Sequence, residues 1–341
     1  MAKKIVGFGE VLLRLSPPGY LKLIQTDCLT ANYTGAELNS LVSLRRFGCD
    51  AEFITKLPDN DVSECALATM GKYDVGCSRI VFGGDRLGTY YSEKGASQRP
   101  SKVIYDRKYS SVSMASPEDF DWDSILEGAD GFHFTGITAA LGEKLPEICL
   151  EACKTAKKKG VTVFCDLNFR KKLWTEERAR EVMRGIAPYV DVIMGNEEDS
   201  EKVLGIKPEN SDVVSGELSR EGYIKVAQQI CESFGTKRVA FTLRKSISAN
   251  DNVWSGMLYE NGQAHFSRSY NMHIVDRMGG GDSFGAGMIY STLNGMDAQS
   301  SIEFAVAASC LKHSIELDFN LSTLEEVQQL LDGDGSGRIQ R

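Results

Sequence analysis

Short apolar runs rich in β-branched residues alternate with longer stretches of helical periodicity, and this rhythm narrows the fold more than any other feature. Ile5 to Phe8 reads as a first buried strand, followed by Phe132 to Thr135, Val161 to Cys165, Val190 to Met194 and Arg238 to Leu243. Helical patterns occupy Gly35 to Phe47, closed by Gly48, then Glu143 to Lys159, Glu176 to Ile186 and Glu221 to Phe234. Strands apolar on both faces, with helices between them, call for an α/β fold: a doubly wound, mostly parallel sheet with helices on both faces. Right-handed crossovers put the strands' carboxyl ends on one edge, where ligands bind. The 341 residues suit one large domain with an attachment, or two domains of roughly 150 residues.

Two stretches break the rhythm. Val253 to Glu260 and Gln263 to Ser269 flank Asn261-Gly262, a hairpin signal. Residues 83 to 115 are rich in Gly, Tyr, Ser and Arg and alternate like a strand at Gly88 to Ser92. With residues 12 to 33 they make a small β-sheet outside the main one, a candidate lid; the competing reading is an ordinary surface hairpin pair. We expect a homo-oligomer joined through this lid. Glu209 to Ser219 reads as a polar loop and 332 to 341 as a mobile tail. Asp332 to Ile339 imitates the start of a calcium loop but lacks its closing Glu, so no calcium site is assigned.

The chain carries 39 Lys+Arg against 47 Asp+Glu, a net charge of −8, and no basic run. Nucleic acid and anionic membrane are therefore not expected as partners, whereas a small anionic substrate still fits a locally basic pocket. Nine cysteines without a C-x-x-C spacing suggest reduced thiols in a cytoplasmic protein. No apolar stretch approaches the roughly 18 residues of a membrane span. The start, Met1 to Val6, has some signal-peptide character, but Glu10 and Arg14 interrupt the apolar run and no cleavage site follows. His133, His265, His273 and His313 show no metal-ligand spacing.

The chemistry concentrates in Val275 to Gly287. Gly279, Gly280 and Gly281 run straight into a helical pattern that stops near Gly295. Consecutive glycines let backbone N–H groups converge, and the helix N-terminus adds positive potential, a combination suited to phosphate or a developing oxyanion. Asp282 stands where the helix begins. An isolated Asp there is usually an N-cap. Beside an anion cradle, a carboxylate is useful if it faces a hydroxyl and takes its proton. No G-x-x-x-x-G-K-[ST] occurs, and no G-x-G-x-x-G follows the first strand.

The segment Asp276 to Asp282 resembles the D-T-x-G-A-G-D signature of the ribokinase-like (PfkB) carbohydrate kinases, and its D-R-x-G-G-G-D form is similar to the 2-keto-3-deoxygluconate kinase branch. Gly7-Phe8-Gly9-Glu10, Thr34 to Asn39, Arg99-Pro100-Ser101, Tyr105-Asp106-Arg107, Asp166 to Arg170, Asn196 to Asp199 and Ala308 to Asn320 resemble further family segments in the right order. The resemblance implies a ribokinase-like fold, with Asp282 as catalytic base and Gly279, Gly280 and Gly281 as the anion hole. It implies ATP and Mg²⁺ as cofactors and a small sugar acid as substrate, phosphorylated at its terminal hydroxyl to the 6-phosphate. Gly35, Asn39, Tyr90, Tyr105, Arg107 and Arg170 are then the substrate residues. Asn168, Asn196, Thr242, Arg244 and Lys312 fall on the nucleotide side, and Glu197 and Asp199 hold Mg²⁺ through water. Residue chemistry allows the same substrate class: a lid arginine, Arg107, and one on the ligand-bearing edge, Arg170, suit a carboxylate, the competing reading for each being a solvated surface residue or an internal ion-pair partner. A fructokinase, a ribokinase, a kinase of another keto-deoxy acid and a non-catalytic binding protein on the same fold are the alternatives.

Overall fold

The computed structural model describes residues 2–207 and 220–333, and only the backbone of Glu197; the polar loop and most of the tail read above lie outside the described residues. The main sheet runs Gln263–Phe266, Asp251–Glu260, Arg238–Ser246, Val192–Gly195, Thr162–Asp166, Gly131–Thr135, Lys4–Phe8 and Asp50–Ile54, with Tyr270–His273 pairing to Asp251–Glu260. From Arg238–Ser246 to Asp50–Ile54 all neighbours are parallel; the hairpin side is antiparallel. Asn261 and Gly262 both take positive φ, 51° and 79°, as a two-residue hairpin turn of this hand requires.

Strand pleating divides the core in two. Val6, Phe8, Phe132, Phe134, Val163, Val239 and Phe241 face helices Leu145–Lys159, Glu176–Ile186 and Arg220–Phe234. Ile5, Phe53, Phe164, Val192, Met194 and Ala240 face helices Ala36–Arg46, Gly280–Leu293 and Ala298–His313. The last of these helices escapes a periodicity reading because it is buried nearly all round, which erases the polar stripe. No described helix is long and apolar enough to cross a membrane. The nine cysteines are free thiols, with Cys149, Cys153 and Cys165 in the core.

A separate four-stranded sheet runs Thr30–Thr34, Leu12–Ser16, Gly88–Glu93 and Lys102–Asp106. The chain enters it just after Lys4–Phe8 and leaves it into helix Ala36–Arg46, so the small sheet hangs over the carboxyl edge of the large one.

Candidate active site

The topology switches between Lys4–Phe8 and Gly131–Thr135, where successive strands are added on opposite sides, and such a point leaves a crevice at the carboxyl edge. A cleft of about 420 Å³ lies there, lined by the small sheet, the ends of the parallel strands and the glycine turn. Gly279 has φ +80°, and a Cβ on it would stand 1.8 Å from the Asp318 carbonyl oxygen, so only glycine fits. It is the N-cap of helix Gly280–Leu293. The N–H groups of Gly281 and Asp282 find no acceptor in the described chain, leaving two donors at the positive helix end beside the cleft.

Asp282 is therefore not the cap. Its Oδ2 accepts a hydrogen bond from Asn39 Nδ2 at 2.6 Å, and its carbonyl accepts one from Ser40 Oγ at 3.0 Å. Both partners come from helix Ala36–Arg46, which fixes the carboxylate on the cleft wall. Burial pushes the Asp282 carboxyl up to about 7; Glu37 and Asp318 add to the rise, while Asn39 and Arg170 oppose it.

Other carboxylates crowd the same wall. Asp199 accepts from the Phe169 amide at 3.0 Å and is raised by burial to about 6. Asp166 accepts from the Asn168 amide at 3.2 Å, and burial, then Asp199 and Asp282, hold it well above the carboxylate range. Glu37 is buried and accepts from Thr135 and Thr138, with burial again raising it. Arg170 is the nearby cation; its Nη1 donates to its neighbour's carbonyl, the Phe169 oxygen, at 2.9 Å, and it makes no ion pair among the described residues. No group of three or more described His, Cys, Asp or Glu residues is placed to hold a metal directly.

Under the small sheet, Gly35, Tyr90, Tyr105 and Arg107 line the cleft. Gly35 is required because a Cβ would meet the Glu10 carbonyl oxygen at 2.1 Å. Tyr90 is the inward member of the Tyr90-Tyr91 pair, and its hydroxyl donates to Asp318 at 2.7 Å. Arg107 stacks over Tyr105 and is bound by Glu10 through Nε at 2.7 Å and through Nη2, with Nη1 left over. The two arginines thus reach the cleft in different states: Arg107 is already neutralised and Arg170 is not.

On the far side, Asn168 sits at φ +37°, a conformation that Asn tolerates, and Asn196 Oδ1 accepts from the Asp199 amide at 2.8 Å. Both line the cleft with Asp199, Thr242 and Arg244.

Two expectations fail. Lys312 does not reach the cleft: it is wholly buried and donates to the Asp276 and Ile315 carbonyls. Gly280 does not line the cleft, and its N–H donates to the Arg277 carbonyl at 3.4 Å instead of standing free as an anion-hole donor. The Glu197 side chain lies outside the described residues.

Sequence reading missed Glu10, Glu37, Arg277, Asn252, Trp254 and His313, all of which line the cleft. Glu10 was findable, since it directly follows the first buried strand on the ligand-bearing edge.

The profile of the pfkB family carbohydrate kinases matches residues 2–314. The chain is similar to a 2-dehydro-3-deoxygalactonokinase of Haloferax volcanii, 30% identical over 340 residues, with 99% of each chain covered. It is also similar to a 2-dehydro-3-deoxygluconokinase of Thermoproteus tenax, 25% identical, covering 96% of this chain and 94% of that one. Among solved structures, a 2-dehydro-3-deoxygluconokinase from Thermotoga maritima superposes with a TM-score of 0.94 at 51% identity, covering 98% and 99% of the two chains.

Proposed function

The chain belongs to the pfkB family of carbohydrate kinases, and on that premise we propose that it transfers the γ-phosphoryl group of ATP to the terminal hydroxyl of 2-keto-3-deoxygluconate, giving the 6-phosphate. The observation that carries the reading is Asp282: a carboxylate poised at about 7, fixed by Asn39, beside two backbone donors without acceptors. A base of that pKa takes a hydroxyl proton near neutral pH as the oxygen attacks phosphorus. The Gly281 and Asp282 amides and the helix end stabilise the charge that develops on the transferring group.

The sugar acid lies under the small sheet, with its carboxylate between Arg170 and the remaining Nη1 of Arg107. The state of Arg170 supports this, since among the described residues its guanidinium has no carboxylate partner and is an open bidentate donor. Asn168, Asn196, Thr242 and Arg244 take the nucleotide side. The surplus of carboxylates at Asp166, Asp199 and Asp282 fits a site that a cation completes, and Asp199 with Glu197 would hold Mg²⁺ through its water shell. When bound, that ion neutralises phosphate charge. Exposed apolar side chains in the lid segments, Ile24 and Leu29 in the stretch before strand Thr30–Thr34 and Ile104 on strand Lys102–Asp106, support self-association through the lid; sedimentation of the chain tests that.

ADP release in the presence of 2-keto-3-deoxygluconate, its galactonate epimer, fructose and ribose tests the assignment. We expect the gluconate acid to be the best substrate, in line with the Thermotoga relative's name. Preference for a neutral sugar would overturn the substrate, and no sugar-dependent ADP release would overturn the kinase.

A further inference from the structure

We propose that Lys312 is a positioning residue for phosphoryl transfer: its ammonium is a built-in cation that ties the segment entering the glycine turn to the loop after helix Ala298–His313, and so fixes the turn's N–H donors. The inference rests on the kinase reading above and adds a role that touches neither substrate.

Lys312 is 0% exposed, and its Nζ donates to the Asp276 carbonyl at 3.2 Å and the Ile315 carbonyl at 3.1 Å. It makes no ion pair among the described residues. Two backbone carbonyls converging on one buried point need a donor between them, because unpaired they carry the full cost of desolvation. Asp276 lies three residues before Gly279, and its own carboxylate is committed to the Met278 amide at 3.1 Å and to Arg14 at 3.0 Å. The side-chain stem is placed equally closely: a Cβ on Gly279 would stand 3.3 Å from Lys312 Cε. Head and stem therefore both bear on the turn, from beneath it. Burial draws the ammonium down to about 8, and Asp276 and Asp318 pull it back up, so it stays mostly charged at neutral pH. A buried lysine is costly, and an apolar residue would pack there more cheaply unless the charge is used.

The test removes the cation and offers another. Wild-type rates are measured in sodium, potassium, ammonium and choline chloride, beside Lys312→Ala and Lys312→Met. The wild type is expected to vary by no more than about twofold among the salts, because its cation is internal. Lys312→Ala is expected to lose about tenfold or more in kcat, with the KM for ATP within about threefold, and to regain both kcat and melting temperature in ammonium or potassium but not in choline. Lys312→Met, which fills the space, loses kcat and is not rescued. A Lys312→Met enzyme with wild-type kcat would overturn the proposal. So would a raised KM for ATP at unchanged kcat, the mark of a nucleotide ligand, or a wild type that needs added potassium. If Lys312→Ala is recovered unfolded, refolding by ammonium or potassium supports the role, and failure of both ions contradicts it. The salt-dependent melting of the variant still reports on the site should the wild type phosphorylate no sugar.

Discussion

Two sets of buried charges meet at the glycine turn, and their partners differ. Beneath the small sheet, Arg14 is 1% exposed and reaches Asp276 at 3.0 Å and Asp318 at 2.6 Å, with Ser16, Asn32 and Tyr90 closing the network. Each carboxylate there has a cation, and the assembly clamps the small sheet to the body. Across the turn, Asp166, Asp199 and Asp282 lie near Arg170, which makes no ion pair among the described residues, and burial raises the proton affinity of all three and of Glu37. Burial is common to both sets. What separates the brace from the cleft wall is whether each charge finds its counterpart inside the fold.

Breaking the reactive set has the largest effect. Asp282→Asn loses about 10²–10⁴ in kcat in a steady-state assay while keeping its fold. Its stability sharpens the contrast. The folded pKa of Asp282 lies above the ordinary carboxylate value, so stability is lost as pH rises from about 4 through about 7 and the group ionises. Asn removes that cost, and the variant melts no lower than wild type at mildly alkaline pH. Breaking the brace does the reverse: Arg14→Met strands two buried carboxylates and lowers stability by about 3–5 kcal/mol in denaturant titration. Arg170→Met raises the KM for the sugar acid roughly 10- to 100-fold, a charged hydrogen bond's worth, with much less change in the KM for ATP. Tyr90→Phe deletes one neutral donor to Asp318 and costs about 1 kcal/mol, read as a small fall in melting temperature.

The sequence carried the reactive set better than the brace, for a physical reason. A glycine run entering a helix, with an acid at its start, is a local signature, and so is a buried strand ending in Asp166 to Arg170. The parallel sheet was legible because its strands are apolar on both faces. The brace joins residues 304 and 262 positions apart, and no spacing rule brings Arg14 to Asp318 or Asp276. Lys312 misled for the same reason: its motif neighbours line or approach the cleft while its own ammonium turns inward to carbonyls, a direction set by packing under Gly279. Arg107 lines the cleft, but its neutralisation by Glu10 depends on a contact 97 residues away.

The contrast between matched and unmatched charge stands on the proton affinity of one side chain. Carboxyl ¹³C chemical shifts of the aspartates, followed against pH in wild type and in Asp282→Asn to assign the missing resonance, read it directly. A midpoint for Asp282 near 7 is the expected result, and a midpoint near the ordinary aspartate value of about 4 would contradict the account.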